Sequence, residues 1–488
     1  MRYAAIDLGA ESGRIVVGGF DGGRLTLDEA HRFPNVPVTL GGTLHWDVLR
    51  LWGDVSAGLR KAGGDGDIAS CAVDTWGVDF GLVDDRGRLL ANPVHYRDAR
   101  TSGMVERAFS LVPQREIYAT TGIQVMEINT LYQLLAMAQT GDPLLHQAHR
   151  LLMTGDLFAH FLSGATVSEY TLASTSQAVD ARSRDWARPL LDRLGIPTGI
   201  LPEIVAPGTT VGGLAPELAS ARGLGRTQVV LPGSHDTASA VVGTPLFSPA
   251  TAFLSSGTWS LIGLEVPEPV LTPDSMAANL TNEGGVGGTI RLLRNVVGLW
   301  LVQESRRALW PDREPPSYER IAGFAEAAPA FTAFIDPDDE RFLRPGDLPG
   351  RVREFCLETG QPVPGDPGTL VRVLLESLAL RYADAIDELS RVSGRRIESV
   401  HVVGGGSNNR LLCRFTADAT GLPVKAGPVE ATAIGNIAVQ AIAAGELASV
   451  AEARELVARS FSITSYEPSG DWAEARARFA AIRGRAAS

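Results

Sequence analysis

Five short stretches of this 488-residue chain hold residue types whose spacing could do chemistry. The first is Asp7-Leu8-Gly9-Ala10-Glu11-Ser12-Gly13-Arg14, set between two apolar runs. A turn with Gly and Ser between two strands can offer backbone N–H groups and a hydroxyl to phosphate oxygens. An Asp ending the preceding strand, here Asp7, can hold Mg²⁺ through water, and Arg14 adds charge. The same residues also read as an ordinary hairpin turn. The second stretch, Ser255-Ser256-Gly257-Thr258-Trp259, repeats this logic in the other half of the chain, with Thr258 as the hydroxyl donor.

The third stretch is Gly233-Ser234-His235-Asp236-Thr237-Ala238, directly after the apolar run 228–231. A carboxylate at the C-terminal end of a strand is well placed to meet a substrate. Such an Asp can accept the proton of an attacking hydroxyl, although Asp236 or Thr237 could equally cap the following helix. In the fourth, Val402-Val403-Gly404-Gly405-Gly406-Ser407, three glycines after a buried strand permit close backbone approach to a ring or ribose. The fifth is Asp74-Thr75-Trp76-Gly77-Val78-Asp79-Phe80, whose acids and indole suit a polyol: hydrogen-bond acceptors beside an apolar face.

These stretches need strands and helices to hold them. Apolar runs at 3–6 and 15–19, and a third at 25–33 after Asp21-Gly22-Gly23, predict a three-stranded start joined by hairpins. Val48, Leu51, Trp52, Val55 and Leu59 stand at helical spacing within 46–62. Strands are expected at 68–73, 78–83, 228–231, 251–255, 259–264 and 400–403, and mostly helix over 104–162. The clearest helix is 369–391, between Gly368 and Gly394; further helices are expected over 408–421 and 431–444. The Pro- and acid-rich segments 310–317 and 337–350 read as surface loops. Since 251–264 repeats the strand–turn–strand pattern of the N-terminus, the chain reads as two related halves divided near residue 245.

Composition narrows the chemistry. With 44 Lys+Arg against 56 Asp+Glu the net charge is −12, which argues against nucleic acid or an anionic membrane as partner. No apolar run is long enough to span a bilayer, and the start does not read as a signal peptide. Three widely spaced cysteines fit a cytoplasmic protein and exclude a Cys-rich zinc site. The only lysines are Lys61 and Lys425, and neither follows a G-x-x-x-x-G stretch, so there is no P-loop.

Taken in order, the motifs resemble the FGGY carbohydrate kinases. Besides the five stretches, the resemblance is carried by Tyr96-Arg97-Asp98, Asn129-Thr130-Leu131-Tyr132-Gln133-Leu134, Thr281-Asn282-Glu283-Gly284-Gly285, Gly298-Leu299-Trp300 and Ala426-Gly427-Pro428-Val429-Glu430-Ala431. It implies an α/β fold of two ribonuclease-H-like (actin-like ATPase) domains around a central cleft. A sugar-binding domain would span 1–245 and an ATP-binding domain 246–488. It implies ATP as cosubstrate, Mg²⁺, and phosphoryl transfer to the 1-hydroxyl of L-rhamnulose by a monomer or homodimer. A related ketose or polyol such as L-fuculose or L-xylulose is the alternative acceptor, and a non-enzymatic actin-like nucleotide sensor the remote one. Carried over residue by residue, Ala10, Glu11, Ser12, Gly13, Arg14, Thr258, Asn295, Gln303 and Gly404 would contact ATP. Gly77, Asp79, His235, Asp236 and Thr237 would contact the sugar, and Asp236 would be the general base. Glu11 stands where many members carry Ser or Thr, and a disulfide from Cys356 is not expected.

Overall fold

The computed structural model describes residues 1–21, 23–311 and 314–486. The chain forms two compact units: Met1–Phe247 with Glu265–Leu292 and Ala431–Phe461, and Ser248–Leu264 with Leu293–Glu430 and Ser462–Ser488. The chain first leaves the first unit at Ser248, and two later stretches belong to that unit again.

The first unit is built on a six-stranded sheet of β1 (Arg2–Leu8), β2 (Ser12–Asp21), β3 (Arg24–Pro34), β4 (Ser70–Thr75), β5 (Thr210–Gly213) and β6 (Gln228–Val230), in the order β5-β6-β4-β1-β2-β3. The pairs β1–β2 and β2–β3 are antiparallel hairpins, and β1–β4 and β4–β6 are parallel. Gly22, in the expected turn between β2 and β3, lies outside the described residues. Register sets the chemistry here: Asp7 stands opposite Arg14 on β2 and opposite Asp74 on β4. Directly opposed residues share a face, so two acids and one cation meet at one end of the sheet.

β1 is covered on both faces, and its alternation says by what. Ala4, Ile6 and Leu8 pack with Val48, Leu51, Val55 and Leu59 of helix α1 (Val48–Gly64). Tyr3 and Ala5 pack with Ile434, Ile437 and Ala438, which sit far along the chain. Those last residues explain why Ala431–Phe461 belongs to the first unit: a parallel central strand needs cover on its second face. Two further helices complete the frame, α2 (Thr130–Thr140) and α3 (Asp236–Val242), and the returning helix is α4 (Ala431–Ala443).

The second unit repeats the plan. Six strands of its seven-stranded sheet are β7 (Thr251–Ser256), β8 (Trp259–Val266), β9 (Ile290–Val297), β10 (Ser399–Val403), β11 (Val424–Ala426) and β12 (Thr464–Tyr466), in the order β9-β8-β7-β10-β11-β12. Again a hairpin, β7–β8, flanks a parallel run, β7–β10–β11, that ends in an antiparallel strand. The helix Pro367–Ser393 starts at an Asp366 side chain that accepts from the Thr369 N–H and ends at left-handed Gly394.

Three expectations change. The strand expected over 78–83 begins only at Phe80, because Val78 has a φ of 69°. It pairs with Arg150–Met153, a strand inside the region expected to be helical. The segment 337–350 is not a plain surface loop: Phe342 and Leu348 are buried, and Asp338 ion-pairs with Arg294, Arg381 and Arg483.

α3 and α4 cross closely. A Cβ on Gly435 would stand 1.8 Å from the Ser239 carbonyl oxygen, and one on Gly243 would stand 2.2 Å from that of Ala431. Gly435→Ala therefore forces α3 away from α4 and lowers stability by roughly 1–3 kcal/mol, as overpacking does. Urea unfolding measures the loss; an unchanged midpoint would mean that the helices do not meet this closely.

Candidate functional site

In the first unit, the charge of Asp7 bears on the ionisation of both Asp74 and Asp236. Arg14 answers Asp7, its Nε and Nη2 lying 2.9 and 2.7 Å from Oδ2. Asp74 is fully buried; Asn436 of α4 donates to its Oδ2 at 2.6 Å, while Oδ1 is buried with no partner. Burial, and next the charge of Asp7, push its carboxyl well above the usual range. Gln440, one helical turn on, donates to the Asn436 side-chain oxygen at 2.7 Å and holds it in place. Neither residue is visible from sequence within a helix of small apolar residues.

Asp236 opens α3, with Thr237 Oγ1 donating to its Oδ1 at 3.1 Å and His235 Nε2 3.4 Å from the same oxygen. Its side chain is 33% exposed, where that of His235 is 9%. Desolvation raises the Asp236 pKa, opposed by His235 and reinforced by Asp7. The loop before it hangs on Glu169, a buried acid the sequence reading missed. Glu169 accepts from the N–H groups of Thr171, Leu172 and Ser234 and from Thr171 Oγ1, and that hydroxyl takes the His235 N–H.

Asp79 is not where a sugar could reach it. It is fully buried, and Oδ2 accepts from Trp46 Nε1 at 2.6 Å, Trp76 Nε1 at 3.0 Å and the Tyr96 N–H at 3.3 Å. Oδ1 takes Gln133 Nε2 at 3.2 Å. Burial pushes its pKa up to about 6 against these donors. Trp46 lies over His95 with centroids 4.0 Å apart and beside Trp76 at 4.2 Å. Trp46 stands outside the helix expected to contain it, because Asp47, whose side chain accepts from the Arg50 N–H, caps a helix that begins at Val48. Gly77 is required by packing, since a Cβ would stand 2.8 Å from Thr175 Oγ1. Val78, a β-branched residue in the left-handed region, is held by Thr130 Oγ1 and Gln133 Nε2 on its carbonyl and by Thr175 Oγ1 on its N–H. Such a conformation costs about 1–3 kcal/mol and persists only under these clamps.

The β1–β2 turn is closed by the Gly9 N–H donating to the Ser12 carbonyl, and tied down by Asn35, which donates to the carbonyls of Gly9 and Glu11. Ala10, Ser12 and Arg14 are half-buried and Glu11 is exposed, so that acid faces solvent. Gly13 is buried under Phe33, whose ring leaves no room for a Cβ.

In the second unit, the β7–β8 turn places Thr258 Oγ1 3.4 Å from Gln303 Oε1. Gly404 follows β10 with a φ of 79°, and a Cβ there would stand 2.9 Å from the Ser256 carbonyl oxygen; Gly406 lies against the Ser256 side chain. Those two glycines are fixed by close approach, whereas Gly405 faces open space. Asn295 lies on β9, half-buried. Among the described residues no cluster of three or more His, Cys, Asp or Glu is arranged to hold a metal, and no helix is long and apolar enough to cross a membrane. The three cysteines are free and buried.

Residues 2–243 match the N-terminal domain, and residues 252–444 the C-terminal domain, of the FGGY family of carbohydrate kinases. A rhamnulokinase of Bacteroides thetaiotaomicron is 44% identical over 467 residues, 96% of each chain. One of Pectobacterium carotovorum subsp. carotovorum is 41% identical over 483 residues, 98% of this chain and 96% of its own. The fold matches that of gluconate kinase from Lactobacillus acidophilus with a TM-score of 0.80 at 17% identity, covering 99% of this chain and 96% of the other.

Asp79→Asn leaves the shape but turns an NH₂ toward donors on one side. Leaving buried N–H groups unpaired costs about 1–3 kcal/mol. We expect that loss in chemical unfolding, with a change in Trp46 and Trp76 fluorescence; wild-type stability and spectrum would contradict the assignment of Asp79 as a structural hub.

Proposed function

The chain belongs to the FGGY family of carbohydrate kinases, and on that premise we propose that it transfers the γ-phosphoryl group of ATP to the 1-hydroxyl of L-rhamnulose. The observation that supports this reading most is Asp236, a partly exposed carboxyl at the start of α3, backed by His235. A sugar hydroxyl is too weak an acid to ionise near neutral pH, so Asp236 accepts its proton as the transition state loosens. Most of the acceleration then comes from positioning and charge stabilisation.

His235, Thr237 and the backbone at Gly77 are the sugar contacts in this reading. Asp79 acts one layer behind, holding Trp76 and the Tyr96 backbone. A 6-deoxy ketose presents both hydroxyls and a methyl group, and a wall of indole, imidazole and phenol rings suits the apolar end. For ATP, the turn Ala10, Glu11, Ser12, Gly13 and Arg14 supplies backbone N–H groups and a hydroxyl. Thr258, Asn295, Gln303 and Gly404 supply a second such set. Mg²⁺ enters with ATP as part of the substrate; Asp7, with the unpartnered buried oxygen of Asp74 beside it, fits a hard cation held through water.

Asp236→Asn lowers kcat by roughly 10²–10⁴-fold, the usual loss on removing a general base, while calorimetry still finds ATP binding. A near-normal rate removes Asp236 from the chemistry. Because the Asp236 pKa is raised, activity falls on acidification at a pH above the ordinary carboxylate range, as protonation fills the accepting oxygen. A pH profile of kcat/KM checks this; a limb at or below that range counts against it. In a coupled ADP assay over L-rhamnulose, L-fuculose, L-xylulose, D-xylulose and glycerol, L-rhamnulose should give the highest kcat/KM, and a better acceptor would reassign the substrate.

A further inference from the structure

Two buried residues have no part in that reading. Glu283 lies on the strand Thr281–Gly284, and Arg291 on β9 is fully buried. Arg291 donates Nε–H to the Gly284 carbonyl at 2.8 Å, and its Nη1 lies 3.1 Å from Glu283 Oε2. Its Nη2 is 3.1 Å from His235 Nδ1, and Glu283 Oε2 is 3.2 Å from the same nitrogen. On the far side of the ring, His235 Nε2 faces Asp236 Oδ1 at 3.4 Å.

These contacts restrict the proton on His235. A guanidinium only donates, so an Nδ1 bonded to Arg291 offers its lone pair, and a neutral ring then carries its hydrogen on Nε2. If Glu283 takes an Nδ1–H instead, a cationic ring again carries hydrogen on Nε2. The remaining state is neutral with hydrogen on Nδ1 alone. It sets a bare Nε2 against the Asp236 carboxylate and an N–H against Arg291, acceptor on acceptor and donor on donor. The two states the surroundings favour both present an N–H to Asp236.

We propose that Glu283 and Arg291 are a positioning pair for the base, acting through His235 to keep an N–H directed at Asp236 Oδ1. This rests on the reading of Asp236 as the base. A hydrogen-bond partner on one ring nitrogen that fixes a histidine's tautomer is a recurrent way of aiming a catalytic group, and a wrong tautomer is costly. The charged or titratable groups around the ring are Asp236 on α3, Glu283 and Arg291 on their strands, and Glu169 behind Ser234; Asp7 also acts on Asp236, which in turn acts on Asp74.

The test reads the proton directly. In protein labelled with ¹⁵N-histidine, the His235 signals are assigned by their loss in His235→Gln. In the wild type, Nε2 should be protonated throughout the active pH range; a neutral ring with bare Nε2 overturns the proposal whatever the variants do. The charge-neutral double variant Glu283→Met with Arg291→Met removes both partners, and replacing a buried ion pair by apolar residues of similar volume is often tolerated. It should lose the exclusive Nε2–H signature and roughly tenfold or more in kcat, with the KM for ATP unchanged. Arg291→Lys, which keeps a donor at Nδ1, should restore most of the rate. An unchanged tautomer in the double variant, or a lost rate with an intact tautomer, assigns the pair to folding alone. If Asp236→Asn keeps its rate, the base reading fails, while the ¹⁵N result still reports separately on the pair.

Discussion

Parallel pairing of β1 with β4 puts Asp7 and Asp74 opposite each other, and much of the first unit answers that one juxtaposition. Two carboxylates side by side, with a third close by on α3, cannot all ionise without N–H groups or cations beside them. Asp7 receives Arg14 from the hairpin partner strand, where the register delivers it without further folding. Asp74 has no such neighbour on the sheet and takes Asn436 from α4, 362 residues along the chain. Asp236 takes His235, itself backed by Glu283 and Arg291. The return of the chain at Ala431–Phe461 is therefore more than cover for β1: it supplies the donor that a buried acid at the end of β4 requires.

The second unit shows what the same scaffold does without that crowding. Strand order and sense repeat, and the turn after β7 and the end of β10 correspond to the turn after β1 and the end of β4. Where the first unit places acids, the second places Ser256, Thr258 and glycines, and Ser256 leaves no room for a Cβ on Gly404, through its carbonyl, or on Gly406, through its side chain. One topology thus presents two chemistries, carboxylates in one copy and hydroxyls with bare backbone in the other. One of its arginines is spent inward: Arg381 is fully buried on Asp338, which ties the acid-rich segment 337–350 into the unit instead of leaving it on the surface.

Local features were legible in the sequence. Hairpin turns, the apolar run of β1, the stripe of Pro367–Ser393 and the strand–Asp–helix step at Asp236 all follow from residues near each other along the chain. Partnerships across the chain were not. Nothing near Trp46 says that its indole will bond Asp79; nothing in an Ala-rich helix marks Asn436 as the partner of a buried acid. Asp79 was legible as important but not as unreachable, because its burial depends on Trp46, Tyr96 and Gln133, three separate elements. Val78 read as strand because its side chain prefers one, and only the clamps from Thr130, Gln133 and Thr175 reverse that preference.

Burial separates the acids that hold the site from the one that can react in it. Asp74, Asp79, Asp156, Glu169 and Asp236 all have raised pKa values, and in every case desolvation is the first cause. A raised pKa alone therefore selects nothing here. The first four are buried, and Asp79, Asp156 and Glu169 each take two or more N–H or hydroxyl donors from the protein. An acid so saturated cannot accept a substrate's proton without breaking bonds that define the loop it organises. Asp236 has one donating hydroxyl, one facing imidazole and a side chain open to solvent. Exposure together with spare accepting capacity, rather than perturbed acidity, is what supports the proposed role of Asp236 as the base.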